Sequence, residues 1–149
     1  MKRKSSLLVV VMASALLLAA CGGKVAEAQP AAVVSDAALV FSGSADAAWT
    51  VADLQALPVT AAEYTNKDGE TTSYSGVSFA DLFTSAGVES YSSVSLLAAD
   101  DYAAELDQAT LDACKDCIVA IQDDGSLKAV LPGMSSAVQV RDLVEVIVN

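Results

Sequence analysis

The 149-residue chain contains no histidine, and its eight basic residues are outnumbered by nineteen acidic ones. Without histidine, a Ser-His-Asp triad is excluded. The sequence also has no glycine-rich phosphate loop and no basic aromatic patch. Its formal net charge of −11 repels nucleic acid and anionic lipid surfaces. We therefore expect no nucleic-acid partner.

The first twenty residues have the pattern of an export signal. A basic start, KRK, precedes an apolar segment, residues 7–20, that is too short to span a hydrocarbon core of ~30 Å. The stretch LLAAC, ending at Cys21, resembles the bacterial lipoprotein signal. That resemblance implies cleavage before Cys21 and diacylglycerol on its sulfur. The alternative is ordinary secretion, with a free thiol at Cys21.

These signals predict three parts of the chain. Residues 1–20 are expected to be a lipoprotein signal peptide, residues 21–35 a lipidated tether, and residues 36–149 one domain. The lipid would hold the protein at the extracytoplasmic side of a cell membrane or envelope. The signal takes three basic residues and no acidic residue, so the remaining chain carries a net charge of −14. An anionic cofactor would therefore meet like charge unless positive charge is locally focused.

The other two cysteines, Cys114 and Cys117, form a CxxC pair. Haem attachment is excluded because Ile118 follows Cys117, and a zinc site lacks enough ligands. A redox-active CxxC pair usually lies at the start of a helix that follows a strand. Here the order is reversed, because a helix or turn precedes the pair and a strand follows it. We expect a structural disulfide outside the cytoplasm. A redox-active disulfide, a metal site and free thiols remain alternatives.

Apolar periodicity and turn residues predict an α+β domain, mainly β, with a mixed sheet and short helices. Strands are expected at residues 36–43, in hairpins turning at Asn66–Gly69 and Asp123–Gly125, around Asp100–Asp101, and at residues 138–149. Thr50 and Ser78 have capping-box spacing and predict the starts of two helices. The sequence does not alternate strands with long helices, so a doubly wound parallel sheet is not expected.

The order WTVADLQALP, YSGVSFADLFTSAGV, VSLLAADDYAAEL, AVLPG and VQVRDLVEVIV resembles the sulfite-oxidase-type molybdopterin-binding domain over residues 41–148. It is most similar to the small stand-alone versions of exported bacterial proteins. The resemblance implies a mixed α/β fold that holds a molybdenum–pterin cofactor. It also implies oxygen-atom transfer as the activity.

The residues that the family uses for this chemistry are not found at the matching positions. The place of the molybdenum-ligating cysteine falls at or near Glu63, and Gln139 and Val140 stand where a lysine and an aromatic are common. We therefore expect no catalytic residue, no metal and no molybdopterin. The expected function is that of a lipid-anchored binding or accessory module for a small ligand or an envelope protein. The alternatives are a divergent molybdopterin-dependent oxidoreductase and a CxxC redox protein.

The expected ligand cleft is formed by polar and aromatic residues near the family's cofactor site. Its candidates are Tyr64, Tyr74, Asp100, Asp101, Tyr102 and Arg141.

Overall fold

A computed structural model describes residues 36–149, and the elements below refer to that part of the chain. Nine strands, three short α-helices and one 3-10 helix follow one another along it. In chain order they are β1 (Leu39–Gly43), β2 (Ala47–Trp49), α1 (Val51–Ala56), β3 (Val59–Thr65), β4 (Thr71–Ser78), α2 (Phe79–Ala86), β5 (Ser93–Ala98), β6 (Ala103–Asp107), α3 (Gln108–Ala113), β7 (Ile118–Ile121), β8 (Leu127–Val130), the 3-10 helix (Ser136–Val138) and β9 (Leu143–Val148).

The strands form two sheets. The five-stranded sheet has the order β2-β1-β9-β5-β6, and the four-stranded sheet has the order β3-β4-β7-β8. The β1–β9 pair is parallel, and the other neighbours are antiparallel. The predicted α+β class, mainly β with a mixed sheet and short helices, is confirmed.

Side-chain caps start all three α-helices. Thr50 and Asp53 form the predicted capping box of α1, and the hydroxyl of Ser78 accepts a hydrogen bond from the Asp81 amide at 3.0 Å. Asp107 caps α3 by accepting from the Thr110 amide at 2.7 Å. These bonds satisfy amides that have no partner within the helix. Each helix therefore begins at a position that its local sequence specifies.

The four-stranded sheet separates two apolar clusters of different size. One face packs into the main core through Val77, Val119, Leu127 and Ala129. The opposite face carries a small cluster of buried and partly buried side chains. Its members are Ala62, Ile118, Ala120 and Val130, with Tyr64 and Tyr74 packed against them. Because strand side chains alternate between faces, Lys128 of β8 lies on the face of the small cluster.

The predicted hairpins and the strands around Asp100–Asp101 are confirmed, but one prediction is corrected and one strand was missed. The closing strand begins at Leu143 rather than near residue 138, and β2 was not predicted. The amide group of Gln139 bonds both backbone atoms of Leu131, at 2.9 and 2.7 Å, and holds residues 131–139 as a closed loop. Asp142 has a φ of 49°, which is not an extended conformation, so the strand begins only at the next residue.

The signal peptide, the tether and Cys21 lie outside the described residues. Within residues 36–149, no helix has the length and apolar character needed to cross a membrane.

Candidate functional site

A cavity of about 290 Å³ opens beside the small cluster of the four-stranded sheet. Its walls come from three separate segments: the β3–β4 hairpin, strand β8 and residues 136–141. We call it the cationic cleft. It is lined by Tyr64, Asn66, Lys67, Asp68, Lys128, Ser136, Gln139 and Arg141.

The cleft gathers most of the positive charge of the described domain. Residues 36–149 contain four basic and eighteen acidic residues, and three of the four cations, Lys67, Lys128 and Arg141, line this cavity. Asp68 is the one carboxylate among the lining residues. This is the local focus of positive charge that an anion would need on an otherwise acidic domain. Folding focuses positive charge that is sparse and scattered in the sequence.

Lys128 is the one polar or charged residue among the described residues that is buried, with 7% of its surface exposed. Its ammonium group donates a hydrogen bond to the Tyr74 hydroxyl at 2.6 Å. The ammonium also lies 4.1 Å from the ring centre of Tyr74 and 5.8 Å from that of Tyr64. Within residues 36–149, no carboxylate lies within ion-pair distance of it. The charge is thus held by aromatic groups and is not neutralised by an acid.

Local backbone structure places the remaining walls of the cleft. Ala129 donates to the Val140 carbonyl at 2.8 Å, and a β-bridge joins Lys128 to Arg141, so the two cations become neighbours. The Tyr102 hydroxyl donates to the Ala137 carbonyl at 2.5 Å and ties the 3-10 helix to the start of β6. Two sets of hydrogen bonds therefore hold residues 131–139: those between the Gln139 side chain and the Leu131 backbone, and the one from Tyr102 to Ala137.

The hairpin wall is organised by Asn66. Its side-chain oxygen accepts from the amides of Asp68 and Glu70 at 2.9 and 3.0 Å, and its amide nitrogen donates to the Glu70 carboxylate at 3.0 Å. Such Asx bonding is typical of tight turns. It sets the position of the backbone that carries Lys67.

The structure brings together some of the predicted cleft residues and separates others. Tyr64 and Arg141 line the cleft, and Tyr74 reaches it through Lys128. Tyr102 acts on it through the 3-10 helix. Asp100 and Asp101 form the β5–β6 turn and are not lining residues; Asp101 has a φ of 67°, a conformation in which glycine is commoner.

Sequence reasoning missed the contribution of Lys128, Lys67 and Gln139. A lysine inside a strand ordinarily indicates a solvent-facing position, and the sequence does not show that two tyrosines from another hairpin cover Lys128. The alternation of β8 with the apolar Val130 was the available clue, because both residues share one face.

The donor groups of the cleft do not fit a molybdenum ligand set. At the place of the family's cysteine, Glu63 is exposed, and its side chain leaves β3 on the face opposite Ala62 and Tyr64. Thiolate is the ligand that the resemblance requires, and neither Cys114 nor Cys117 lines the cleft. Within residues 36–149, no three His, Cys, Asp or Glu side chains converge as metal ligands. The cations of the cleft suit an anion held by charge and hydrogen bonds.

A second cavity, also about 290 Å³, lies beside the CxxC pair. We call it the disulfide cavity. It is lined by Ser78, Phe79, Ala80, Phe83, Tyr91, Leu111, Asp112, Cys114, Lys115 and Cys117. The two cysteines lie at disulfide distance, with their Cα atoms 5.5 Å apart. The structural role expected for this pair stays a prediction.

A tyrosine–carboxylate pair forms part of the wall of the disulfide cavity. The Tyr91 hydroxyl donates to Asp112 at 3.1 Å. Partial burial, followed by this hydrogen bond and the nearby negative charge, raises the pKa of Tyr91 well above its ordinary value of 10.0. Tyr91 therefore acts as a neutral hydrogen-bond donor at physiological pH.

No protein-family model and no curated protein matches this sequence. Among solved structures, the chain is similar to the sulfane dehydrogenase SoxCD from Paracoccus pantotrophus, with a TM-score of 0.63 and 15% sequence identity. The fold is of the sulfite-oxidase type. The match covers 74% of this chain but spans only 37% of the SoxCD chain. At 15% identity, this similarity establishes the fold alone. The predicted sulfite-oxidase-type fold is confirmed.

Proposed function

We propose that this protein is a non-catalytic binding module with a sulfite-oxidase-type fold, and that it holds a small anionic ligand in the cationic cleft. We also propose that lipid on Cys21 anchors it at the outer side of a cell membrane. Loss of detergent-phase partitioning in a Cys21→Ser variant is the expected sign of that anchor, and unchanged partitioning would contradict it.

The observation that carries the binding proposal is the convergence of Lys67, Lys128 and Arg141 on one cavity. On a domain with eighteen acidic residues, three neighbouring cations create a local potential opposite in sign to the rest of the surface. Such a focus attracts an anion and disfavours a cation.

The burial of Lys128 supports the same proposal. Removing an ammonium group from water is costly unless it is paired, and its described partners are one neutral hydroxyl and two rings. Groups that reduce stability in this way are commonly kept for function. An anion that reaches Lys128 would supply the missing countercharge.

The dimensions and lining of the cleft define the ligand class. A volume of about 290 Å³ suits a small molecule rather than a protein segment. Asn66 and Ser136 add neutral hydrogen-bonding groups, and the Tyr64 ring adds an apolar surface. We propose a small oxyanion, such as a phosphate, sulfate or carboxylate compound, as the ligand.

Titration calorimetry of the full chain with phosphate, pyrophosphate, sulfate and acetate tests the proposal. Lys128→Met removes the buried charge while keeping an unbranched side chain of similar length. Because a charge-assisted hydrogen bond contributes about 1.5–3 kcal/mol, we expect the affinity for the bound anion to fall about 10- to 100-fold. Lys115→Met is the matched control, since Lys115 is the one basic residue of the described domain outside the cleft.

The melting temperature of Lys128→Met should stay within about 5 °C of wild type or rise, because the substitution also removes a desolvated charge. Equal losses of affinity in the two lysine variants, or no binding of any of the four anions, would overturn the proposal. Stoichiometric molybdenum and pterin in the purified protein would instead support the divergent oxidoreductase.

A further inference from the structure

We propose that the Cys114–Cys117 disulfide is a thiol–disulfide exchange site that accepts two electrons from a protein dithiol, with Cys114 as the attacked sulfur. The cationic cleft and the disulfide cavity share no lining residue, so this inference is independent of anion binding.

The two cysteines differ in access. Cys117 is 1% exposed, whereas Cys114 is partly exposed, and both line the disulfide cavity. An external thiolate approaching through the cavity therefore reaches Cys114 first. Phe79, Phe83 and Leu111 give the cavity an apolar wall that could receive a side chain next to the partner's cysteine. A buried structural clip would lack such an approach.

The electrostatic surroundings differ from those that the sequence predicts. Helix α3 ends before Cys114, and a helix end of this kind does not stabilise a thiolate. However, the start of α2 faces the same cavity, and the Phe79 amide donates to the Cys117 carbonyl at 3.2 Å. The positive end of α2 is shared with the Asp81 carboxylate in its first turn, so this helix adds little stabilisation to a thiolate at Cys117. Lys115, which follows Cys114 in the chain, adds a cation to the cavity wall.

One carboxylate of the cavity wall opposes this effect. Asp112 lines the cavity, and the hydrogen bond that it accepts from the neutral Tyr91 hydroxyl engages one carboxylate oxygen without removing the charge. Asp116 is exposed to solvent, where water and salt screen it.

Backbone hydrogen bonds that do not involve the sulfur atoms also hold the segment around both cysteines. The Cys114 amide donates to the Leu111 carbonyl at 3.1 Å, and Ile118, directly after Cys117, pairs with both Ser78 and Val130. A disulfide that closes such a short loop removes little conformational entropy from the unfolded chain, so it adds little to the stability of the fold. Reduction therefore leaves the domain folded, and the melting temperature should change by only a few degrees.

The exchange reaction balances without another reagent. A thiolate of the partner attacks the Cys114 sulfur, a new mixed disulfide forms, and the Cys114–Cys117 bond breaks with Cys117 leaving as a thiolate. The partner's second thiol, as a thiolate, then attacks the partner's first sulfur atom in the mixed disulfide. Cys114 is released as a thiolate. The partner dithiol is oxidised to a disulfide, and this chain takes up two electrons and two protons as two thiols.

The test uses the full chain with Cys21→Ser, so that only the CxxC pair titrates. The oxidised protein is incubated with dithiothreitol without denaturant, and free thiols are counted over time by the mass shift of a maleimide label. Circular dichroism follows the fold in parallel. We expect two thiols per molecule while the folded signal persists. Reduction that occurs only after denaturant unfolds the chain would overturn the proposal.

Two single-cysteine variants in the same background test the assignment of Cys114. Cys117→Ala leaves the partly exposed thiol, and Cys114→Ala leaves the buried one. With glutathione disulfide as probe, we expect the Cys117→Ala protein to form a mixed disulfide at least tenfold faster than the Cys114→Ala protein. If both variants melt as wild type does, equal rates or the reverse order would contradict the assignment.

Discussion

The cationic cleft and the disulfide cavity have the same volume, about 290 Å³, but different chemistry. The cleft combines three cations with a tyrosine and neutral polar groups, while the disulfide cavity combines sulfur, aromatic rings and a tyrosine–carboxylate pair. The cleft lies on a face of the four-stranded sheet, whereas the disulfide cavity lies at the end of its β4–β7 pair, next to Ser78 and Cys117. Side-chain chemistry, rather than cavity size, therefore distinguishes the proposed anion site from the proposed exchange site.

The two cavities also differ in how the sequence encodes them. Both cysteines lie within four consecutive residues, and the expected helix-to-strand order around them is present. The cleft depends on residues 64–68, residue 128 and residues 136–141, which meet only after β3, β4, β7 and β8 have paired. The first is a local feature, and the second is a product of topology.

Gly76→Ala should have the largest effect, because it disturbs the β4–β7 pair, which joins the strands of the cleft and ends beside the disulfide cavity. A Cβ atom at Gly76 would lie 2.1 Å from the Val119 carbonyl oxygen and 2.5 Å from the Ala120 Cα atom. Strand β4 would have to move away from β7. We expect a loss of more than about 3 kcal/mol in the free energy of unfolding, measured by urea denaturation. Ser75→Ala, at an exposed neighbouring position, is the control and should lose less than about 1 kcal/mol.

Wild-type stability in Gly76→Ala would show that the strands tolerate separation and that the cavities are not joined through this pair.

Tyr102→Phe should have an intermediate effect that is confined to the cleft. It removes the hydrogen bond to the Ala137 carbonyl, which is worth about 1 kcal/mol, and frees the 3-10 helix. We expect anion affinity to fall about fivefold in calorimetry, with an unchanged rate of disulfide reduction. A slower reduction rate would mean that the two cavities are coupled.

Asp107→Asn should have the smallest effect and should act on the side of the disulfide cavity. Hydrogen bonds from Thr110 lower the pKa of Asp107 below its ordinary value of 3.8. This contribution to stability is therefore present above pH 3.8 and is lost as the pH falls through the lower folded-state pKa. Asparagine keeps the cap without titrating. Thermal melts between pH 5 and 2 should show a smaller acid-dependent loss in the variant, and identical acid profiles would exclude this role.

The fold was more predictable from the sequence than the candidate site. Thr50 and Ser78 start their helices through contacts within three residues, and Asn66–Gly69 makes its own turn, so these features depend on neighbours in the chain. The parallel β1–β9 pair joins residues about a hundred positions apart, and no local pattern specifies it. Lys128 shows the same limit for function, because its burial depends on tyrosines from another hairpin.

The position of β9 has a consequence for the timing of folding during synthesis. It occupies the middle of the five-stranded sheet, between β1 and β5, although it is the last of the nine described strands to leave the ribosome. A nascent chain that ends before Leu143 would leave two pairs of strands without the member that joins them. Completion of this sheet must therefore wait until residue 148 has been translated, which makes assembly of the domain a late, long-range event.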